Sequence, residues 1–379
     1  MQGLVSRAQA ARLQVKGGRM TQRIVVIGAG ILGASIACQL AQAGHAVTVV
    51  DRVGPATQVS GRSFGWINAS FFADAAHFRL RAAGIDAWRR ADVHGLTWSG
   101  SLWFEEDGDA FEAMHAQLSE FNYPVEVIDQ NAFSELEPHV ASPPKRALRF
   151  PSEAAADTVL VTQTLLEHAQ THGAMTLYGV DVLEIETQNG AISQVITSAG
   201  ALAADTVIVA AGTASPDLVA PLGVCVPMLR RPGVLVTTRA VPPALSHILV
   251  APDQELRQLP DGRFLAPTSP NHQADQASDL GDTAQILADE AMGRVRKMLP
   301  DQSLTIESIS LAFRPVPEDG LPVVGLAGPD GLYIATMHSG VTLAAIVGEL
   351  VAQELTNGGK AELLRPYRPQ RFADQSGIS

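Results

Sequence analysis

One stretch near the start of the chain decides the fold, namely Ile24-Val25-Val26-Ile27-Gly28-Ala29-Gly30-Ile31-Leu32-Gly33. The run from Ile24 to Ile27 is short, apolar and rich in β-branched residues, which predicts a buried strand. Ile31 to Ala43 favours a helix, and Ala46 to Val50 predicts a second strand that ends at Asp51. A strand, a glycine turn, a helix and a second strand in this order are typical of a Rossmann-type α/β domain.

The three glycines of this turn stand where a dinucleotide-binding turn needs them. Gly28 permits the tight turn out of the strand, Gly30 lets the backbone approach a pyrophosphate, and Gly33 lets the helix pack closely on the sheet. The first helical turn then faces the phosphates with unpaired amide donors and a partial positive charge. Asp51 ends the second strand, where a carboxylate accepts hydrogen bonds from ribose hydroxyls. The pattern predicts a dinucleotide, and by itself it leaves FAD and NAD open.

The composition is that of an acidic globular protein. Of 379 residues, 46% are hydrophobic, enough for one large domain or two intertwined ones. A formal net charge of -12 argues against a nucleic-acid partner, because phosphate binding needs clustered Lys and Arg. No apolar run reaches the length that spans a bilayer. Cys38 and Cys225 lack metal-type or redox-pair spacing, so we expect no metal and a reducing cytoplasmic location, with peripheral membrane attachment as the alternative.

The first residues of the chain have the features of a leader. Residues 1–19 contain several basic residues and no acidic one, and they lack the continuous apolar core of a secretory signal. Met20 stands directly before Thr21-Gln22-Arg23 and the first strand. We therefore predict that residues 1–20 are a disordered leader or an over-extended start, with a basic targeting peptide as the alternative.

Three further segments carry motifs. Ser60 to Ala69 reads Ser-Gly-Arg-Ser-Phe-Gly-Trp-Ile-Asn-Ala, and Arg314 to Gly325 contains Arg-Pro, Asp-Gly, Pro and Gly in order. Gly331 to Ile334 leads into His338-Ser339-Gly340-Val341-Thr342 and a helical pattern from Leu343 to Leu355. Together they resemble the D-amino-acid oxidase superfamily of FAD-dependent oxidoreductases, which includes glycine oxidases, D-amino-acid oxidases and D-amino-acid dehydrogenases. In that family they lie, respectively, along the pyrophosphate and flavin, under the isoalloxazine ring, and at the last strand, turn and helix.

The resemblance implies FAD and a discontinuous fold. The expected fold class is α/β, with a Rossmann-type FAD-binding domain and an inserted α+β substrate domain that carries an antiparallel sheet. The expected segments are 21–71, 150–222 and 312–366 for the FAD-binding domain, and 72–149 and 223–311 for the substrate-binding domain.

Local patterns predict individual strands in the middle of the chain. Alternating runs on either side of Asn189-Gly190 predict a hairpin, because Asn-Gly favours the tight turn between two strands. The predicted strands are Met175 to Tyr178, Val182 to Thr187, Ile192 to Thr197, Val234 to Thr238 and Arg263 to Pro267. The resemblance implies one more strand with its glycine turn, at Asp205 to Gly212.

The glycine turn and the resemblance together give a predicted FAD site. A helix beginning at Gly340 would place its positive end where the reduced flavin carries negative charge around N1 and the C2 oxygen. The residues assigned to cofactor binding are Gly28, Ala29, Gly30, Ile31, Leu32, Gly33, Asp51, Arg52, Ser60, Gly61, Arg62, Ser63, Gly65, Trp66, Val182, Ala211, Gly212, Arg314, Gly340, Val341 and Thr342.

The implied reaction is oxidation of an amino acid's carbon–nitrogen bond to an imine by hydride transfer to flavin N5. This chemistry needs no protein nucleophile, but it needs orientation, and the planar arginine fork binds a carboxylate well. In relatives an arginine at the position of Arg314 grips the substrate carboxylate; a domain-interface ion pair is the alternative. His338 is a second candidate, for substrate contact or packing. Where many relatives have a tyrosine this chain has residues 255–260, in which Arg257 or Gln258 is either a second polar substrate contact or part of a solvated strand edge.

Two absences in the sequence bear on the flavin. Residues 305–325 contain no Cys and residues 59–68 no His, so we expect non-covalent FAD. No lysine lies between Lys145 and Lys297, whereas methylamine-type oxidases of the family use a lysine over the flavin for reaction with oxygen. The electron acceptor is therefore either oxygen or a quinone or other carrier.

Two other functions stay open at this point. The chain could be the flavin-binding subunit of a multi-subunit amine or opine dehydrogenase whose electron exit lies on a partner, so homo- and hetero-oligomers are both compatible with the sequence. An NAD-linked dehydrogenase with a similar glycine turn is the third hypothesis. The amino acid itself, D or N-substituted, is not specified by any motif.

Overall fold

The structure is a computed structural model that describes residues 15–16, 19–269, 278–300 and 302–377. Helices and strands are numbered along the chain. The helices are α1 (Ile31–Gln42), α2 (Ala75–Arg90), α3 (Asp109–Glu120), α4 (Gln130–Leu136), α5 (Thr158–Thr171), α6 (Ser215–Val219), α7 (Ala284–Met298) and α8 (Gly340–Asn357).

A six-stranded sheet carries the predicted Rossmann unit. Its spatial order is β11 (Met175–Tyr178), β4 (Ala46–Asp51), β3 (Arg23–Ile27), β15 (Thr206–Val209), β24 (Leu332–Thr336) and β23 (Val323–Leu326). The first five strands are parallel and β23 is antiparallel to β24. The order reverses at β3, whose neighbours are β4 and β15, and ligands of open α/β sheets bind at such a point, at the carboxyl ends of the strands.

An eight-stranded sheet forms the second layer. Its order is β21 (Ile306–Phe313), β17 (Pro232–Thr238), β20 (Phe264–Pro267), β19 (Gln254–Gln258), β18 (Ile248–Ala251), β7 (Ser101–Trp103), β9 (Arg146–Phe150) and β8 (Glu126–Asp129). All its pairings are antiparallel except that of β18 with β7. The prediction of an antiparallel sheet in the second half of the chain is confirmed for β17 and β20.

Smaller sheets accompany the two large ones among the described residues. Three-stranded sheets are formed by β5 (Trp66–Ile67), β10 (Ala154–Ala156) and β6 (Leu96–Thr97), and by β12 (Val182–Gln188), β13 (Ala191–Thr197) and β14 (Gly200–Ala203). Two-stranded sheets are formed by β16 (Met228–Leu229) with β22 (Val316–Pro317), and by β1 (Val15–Lys16) with β2 (Arg19–Met20). The predicted hairpin is confirmed: Asn189 and Gly190 have φ of 54° and 81°, as the tight turn between β12 and β13 requires.

The core of the Rossmann unit lies between the six-stranded sheet and three helices. Helix α1 packs against both α5 and α8, and α2 packs against α8. Helix α1 is almost wholly buried, which explains why its sequence is apolar on every face rather than along one stripe. Among the described residues no helix has both the length and the apolar character needed to cross a membrane.

The α/β fold class is confirmed, and the domain division stays a prediction. The strands of the six-stranded sheet fall within the three segments expected for the FAD-binding domain. The boundaries at 149/150 and 311/312 cut through β9 and β21, so both strands end inside those segments. The predicted leader lies mostly outside the described residues, apart from the short pair of β1 and β2.

Candidate active site

The glycine turn between β3 and α1 lies against the turn that follows β15. Gly28 has a φ of +112°, and a Cβ built on it would lie 2.5 Å from the carbonyl oxygen of Ala210. A Cβ on Gly33 would lie 2.0 Å from the carbonyl oxygen of Gly28. By contrast, a Cβ on Gly30 would meet only the Ser60 hydroxyl, at 3.0 Å. Gly28 and Gly33 therefore serve close packing, whereas Gly30 keeps a space open above the start of α1.

Asp51 is held beside this turn by three backbone amides. Its carboxylate accepts hydrogen bonds from the N–H groups of Ala29, Val53 and Gly54, each at 2.8 Å. Its backbone carbonyl accepts from the N–H of Val180 at 3.2 Å, just before β12. Asp51 ends β4, and Ala211 and Gly212 follow β15, so all three lie at the carboxyl ends of these parallel strands. The half-buried Val182 lies close by, two residues after Val180.

A short loop closes over the first turn of α1. The Ser60 hydroxyl accepts from the N–H of Ile31 at 3.0 Å, and its proton remains free to be donated elsewhere. The guanidinium of Arg62 donates to the Leu311 carbonyl of β21 at 2.9 Å. The loop thus joins the glycine turn to the edge of the eight-stranded sheet. Arg52 and Gly61 are exposed, and Ser63 is half-buried and accepts from the N–H of Gly65 at 3.1 Å.

Arg257 is buried, so the interpretation of residues 255–260 as a solvated strand edge is wrong for this side chain. It is only 3% exposed and lies on β19. Its guanidinium donates to the carbonyl oxygens of Phe64 at 2.5 Å and Ala156 at 2.9 Å. Burial lowers its pKa to about 10, which still leaves it protonated at neutral pH. Arg257 therefore fastens the Ser60–Trp66 loop to the eight-stranded sheet, and its predicted contact with substrate stays a prediction.

The start of α8 lies against the end of the same loop. The Thr342 hydroxyl donates to the carbonyl of Trp66 and accepts from the N–H of Asn68, both at 3.3 Å. Space is open beside Gly340, where a Cβ would meet only the Met337 side chain at 4.0 Å. The first amides of a helix have no partner within it. This end of α8, with Val341, therefore presents donors next to an open space.

Arg314 follows β21 and His338 follows β24, and the positive charge of Arg314 acts on His338. The Arg314 guanidinium donates to the Pro232 carbonyl at 3.3 Å and its backbone N–H to the Arg231 carbonyl at 2.8 Å. His338 is exposed, yet burial lowers its pKa to about 4, with further lowering from the charges of Arg314 and Arg81. It stands two residues before Gly340, beside the open space at the start of α8, which is here called the cleft. His338 is consequently neutral at pH 7, beside two cations.

Sequence reasoning missed two buried charged residues next to this cleft, Arg81 and Glu153. They are 6% and 0% exposed. Arg81 lies on α2 in register with the buried Phe78, Ile85 and Trp88. A cation on an apolar helix face is a signal that the sequence does contain, since such residues are rarely buried without a role. Glu153 stands outside any periodic pattern and carried no such signal.

Comparison with known proteins decides the family. The model of the family described as FAD dependent oxidoreductase matches residues 23–354. The chain belongs to this family.

Similar proteins cover nearly the whole of this flavoenzyme. A protein named D-amino acid dehydrogenase from Rhizobium rhizogenes is 24% identical over 405 residues, 90% of this chain and 97% of its own length. L-proline dehydrogenase from P. horikoshii has a TM-score of 0.83 at 23% identity and covers 94% of this chain and 98% of its own. Glycine oxidase from Bacillus cereus has a TM-score of 0.79 at 20% identity, with 92% and 98% covered. The two structures show the same fold.

The described residues fit FAD. The turn at Gly28, Gly30 and Gly33 leaves an open cradle at the carboxyl end of β3 with amide donors facing it. The second open space, beside Gly340, lies at the positive end of an 18-residue helix. The two spaces are connected by the Ser60–Trp66 loop, whose Ser60 is the neighbour of Gly30. Cofactor contacts by the individual residues of the list given above stay predictions, as does the absence of a covalent link.

Proposed function

We propose that this flavoenzyme oxidises the carbon–nitrogen bond of an amino acid to an imine, with the substrate held between Arg314 and the start of α8. The observation that carries the proposal is the position of the Arg314 guanidinium directly after β21, the strand whose Leu311 carbonyl accepts from Arg62 of the cofactor loop. Relatives named D-amino acid dehydrogenase support the substrate class. When bound, FAD accepts the hydride that leaves the α-carbon.

Arg314 would bind the substrate carboxylate. A guanidinium offers parallel N–H donors that match the two carboxylate oxygens, so it fixes orientation as well as position. The side chain is half-buried and packs on Gly233, whose added Cβ would lie 3.7 Å from Arg314 Nε. A carboxylate that is fixed here would leave the α-carbon and the amine pointing along the cleft toward His338 and Gly340.

His338 would interact with the amine as a neutral imidazole. Because its pKa is lowered to about 4, it adds no positive charge near the nitrogen on which positive charge develops during oxidation. A neutral imidazole nitrogen can accept a hydrogen bond from the amino group. His338 would thus help to orient the amino group whose lone pair becomes part of the imine.

Arg257 has a positioning role in this proposal. Its hydrogen bonds join β19 to Phe64, in the loop between Ser60 and Trp66, and to Ala156 of β10. It therefore holds one wall of the cleft against the cofactor loop.

The electron acceptor is proposed to be a quinone or another carrier rather than oxygen. The lack of lysine between Lys145 and Lys297 supports this choice, as do the relatives named dehydrogenases.

Anaerobic mixing of the FAD-loaded protein with a substrate panel tests the proposal. The panel contains D- and L-amino acids, N-methyl amino acids, opine-like imino acids, and matched amines without a carboxylate. We expect bleaching of the flavin absorbance by at least one carboxylate-bearing amine and none by the corresponding decarboxylated amine. Equal bleaching by both members of a pair would contradict the role of Arg314. A colourless preparation that takes up no added FAD would contradict the cofactor.

A further inference from the structure

Helix α8 begins with a serine that does not cap it. Ser339 occupies the N-cap position, where a serine side chain normally accepts a hydrogen bond from an amide of the first turn. Its side chain makes no such bond. Instead the Ser339 hydroxyl accepts from Nη1 of Arg81 at 2.6 Å. The buried arginine therefore binds the hydroxyl that, in a capped helix, accepts from these amides.

One face of α2 produces this arrangement. Arg81, Gly84 and Trp88 follow one another at helical spacing and all contact the start of α8. A Cβ on Gly84 would lie 2.6 Å from the carbonyl oxygen of Thr342, so only glycine allows the two helices to approach this closely. The indole N–H of Trp88 donates to the Val341 carbonyl at 2.8 Å. The approach places the Arg81 cation at the positive end of the α8 dipole.

A cation at that end of a helix is electrostatically unfavourable unless something compensates it. Part of the compensation is a buried carboxylate on the far side of one peptide group. Arg81 donates from Nε to the carbonyl oxygen of Asn68 at 3.1 Å, and from Nη2 to its Oδ1. The next N–H, that of Ala69, donates to Glu153 at 3.3 Å. The Asn68–Ala69 peptide thus lies between a cation and an anion, aligned with both.

The Glu153 carboxylate is fixed by a full set of donors. It accepts from the indole N–H of Trp66 at 2.9 Å, the Ser101 hydroxyl at 2.5 Å, the Tyr123 hydroxyl at 3.0 Å and the N–H of Ser70 at 3.2 Å. Burial raises its pKa, and these hydrogen bonds oppose that change. Burial lowers the pKa of Arg81 to about 10, and Glu153 opposes that change in turn. Arg81 is therefore protonated at neutral pH, and the N–H groups of Trp66, Ala69 and Ser70 are donors that suit a carboxylate at Glu153.

We propose that Arg81 is a positioning residue that keeps the start of α8 uncapped and positively charged for the reduced form of the flavin. The proposal rests on the proposed function, since it assumes that bound FAD extends to this helix end. Reduced flavin carries negative charge around N1 and the C2 oxygen, so it supplies the remaining compensation that Glu153 does not. Arg81 therefore favours flavin reduction without touching the substrate.

Two variants remove the positive charge from this helix end by different routes. Arg81→Met deletes the cation and frees Ser339 to cap α8. Ser339→Asp keeps Arg81 but pairs it with a carboxylate that also takes the amides. Arg81→Lys retains the charge. The matched control is Arg90→Met, which removes a surface ion pair with Glu349 from the same helix.

The readout is the equilibrium constant for two-electron reduction of the bound flavin, measured by photoreduction against reference dyes without any amino acid. We expect about a tenfold decrease in Arg81→Met and in Ser339→Asp, or about 30 mV for a two-electron couple. The constant of Arg81→Lys should stay within about threefold of the wild-type constant, and that of Arg90→Met should equal the wild-type constant. If Arg81→Met fails to hold FAD, Ser339→Asp decides.

Constants within about twofold of the wild type in the FAD-loaded Arg81→Met and Ser339→Asp variants would overturn this proposal alone and make Arg81 a purely structural residue. A wild-type protein that retains no FAD would overturn the cofactor assignment as well. The dye measurement does not depend on substrate, so a failure to oxidise any amino acid leaves its result unaffected.

Discussion

At the residue scale, Arg314 is the side chain on which substrate binding is proposed to depend. We expect Arg314→Ala to weaken binding of a carboxylate-bearing substrate by about 100-fold, since hydrogen bonds between charged groups contribute about 1.5–3 kcal/mol each. The substrate affinity of Arg314→Lys should lie between those of the wild type and Arg314→Ala, because lysine keeps the charge and loses the planar fork. The measurement is the substrate concentration for half-maximal anaerobic bleaching.

The exposed Arg230 provides the control for Arg314. It stacks over Phe313 with its guanidinium carbon 4.5 Å from the ring centroid. Arg230→Ala should leave half-maximal bleaching within about twofold of the wild type, because an exposed cation contributes little. Similar losses in Arg230→Ala and Arg314→Ala would contradict specific binding by Arg314.

His77 makes the free energy of unfolding depend on pH in the acid range. Burial, and next the charge of Arg81, lower its pKa from 6.5 to about 4. Between these two pH values the unfolded chain binds a proton at His77 that the folded chain does not bind. The contribution of His77 to stability is therefore fully present above pH 6.5 and is lost as the pH decreases toward 4. The lost contribution is about 3 kcal/mol.

Replacement of His77 by asparagine tests this dependence. The Nδ1 atom of His77 accepts from the N–H of Ala73 at 3.2 Å, and an asparagine oxygen can take over that role. We expect His77→Asn to lose less stability than the wild type between pH 7 and pH 4.5, measured by urea unfolding. His94→Asn, at an exposed histidine, is the matched control. Identical pH slopes for wild type and His77→Asn would rule out His77 as the source.

At the scale of elements, the glycine turn depends on contacts that no side chain can share. In Gly33→Ala the new Cβ would meet the Gly28 carbonyl oxygen at 2.0 Å, so the turn must move. We expect a loss of about 3 kcal/mol of unfolding free energy, the upper range for overpacking, and at least tenfold weaker FAD binding. Urea unfolding of the apoprotein and FAD titration by fluorescence measure the two effects.

Gly293→Ala is the matched helical replacement. Gly293 lies in α7, and a Cβ there would have no atom within 4 Å. Alanine should stabilise the helix by up to about 1 kcal/mol and leave FAD binding unchanged. If both alanine variants bind FAD as the wild type does, close packing at Gly33 is not a requirement of the cofactor turn.

The elements also mark what sequence reasoning can and cannot find. The turn, the Asn189-Gly190 hairpin and the start of α8 are local, because each depends on residues adjacent in the chain. The burial of Arg257 depends on Phe64 and Ala156, which are remote in sequence and come close only when β19, the cofactor loop and β10 assemble. The Arg81–Glu153 arrangement has the same origin. Long-range partners of charged residues were therefore the part that the sequence could not supply.

At the scale of the whole molecule, a buried carboxylate helps to fasten the C-terminal segment to the Rossmann unit. Glu354 of α8 accepts from the Tyr333 hydroxyl at 2.7 Å, the Ala361 N–H at 2.6 Å and Arg368 at 3.0 Å. Burial raises the pKa of Glu354, but hydrogen bonds, first from Arg368, outweigh this and lower it. Arg368 also donates to the Val324 carbonyl at 3.3 Å, which joins the segment to β23.

Removing Arg368 should therefore loosen the end of the fold. We expect Arg368→Met to cost about 3 kcal/mol of unfolding free energy, because it leaves the buried Glu354 without its cation. Arg365→Met removes an exposed pair with Glu362, 79% and 84% accessible, and should change stability by less than about 0.5 kcal/mol. Equal effects in thermal unfolding would show that the buried pair has no special role.

The most direct test of the proposed function is the stoichiometry of one anaerobic turnover. FAD-loaded protein is mixed with the amino acid that bleaches it best, and flavin absorbance, the carbonyl product and the released amine or ammonia are quantified together. We expect one 2-oxo acid and one amine or ammonia for each flavin reduced, since an imine hydrolyses to these products. Reduction of the flavin without loss of a carbon–nitrogen bond, or no reduction by any amino acid, would contradict it.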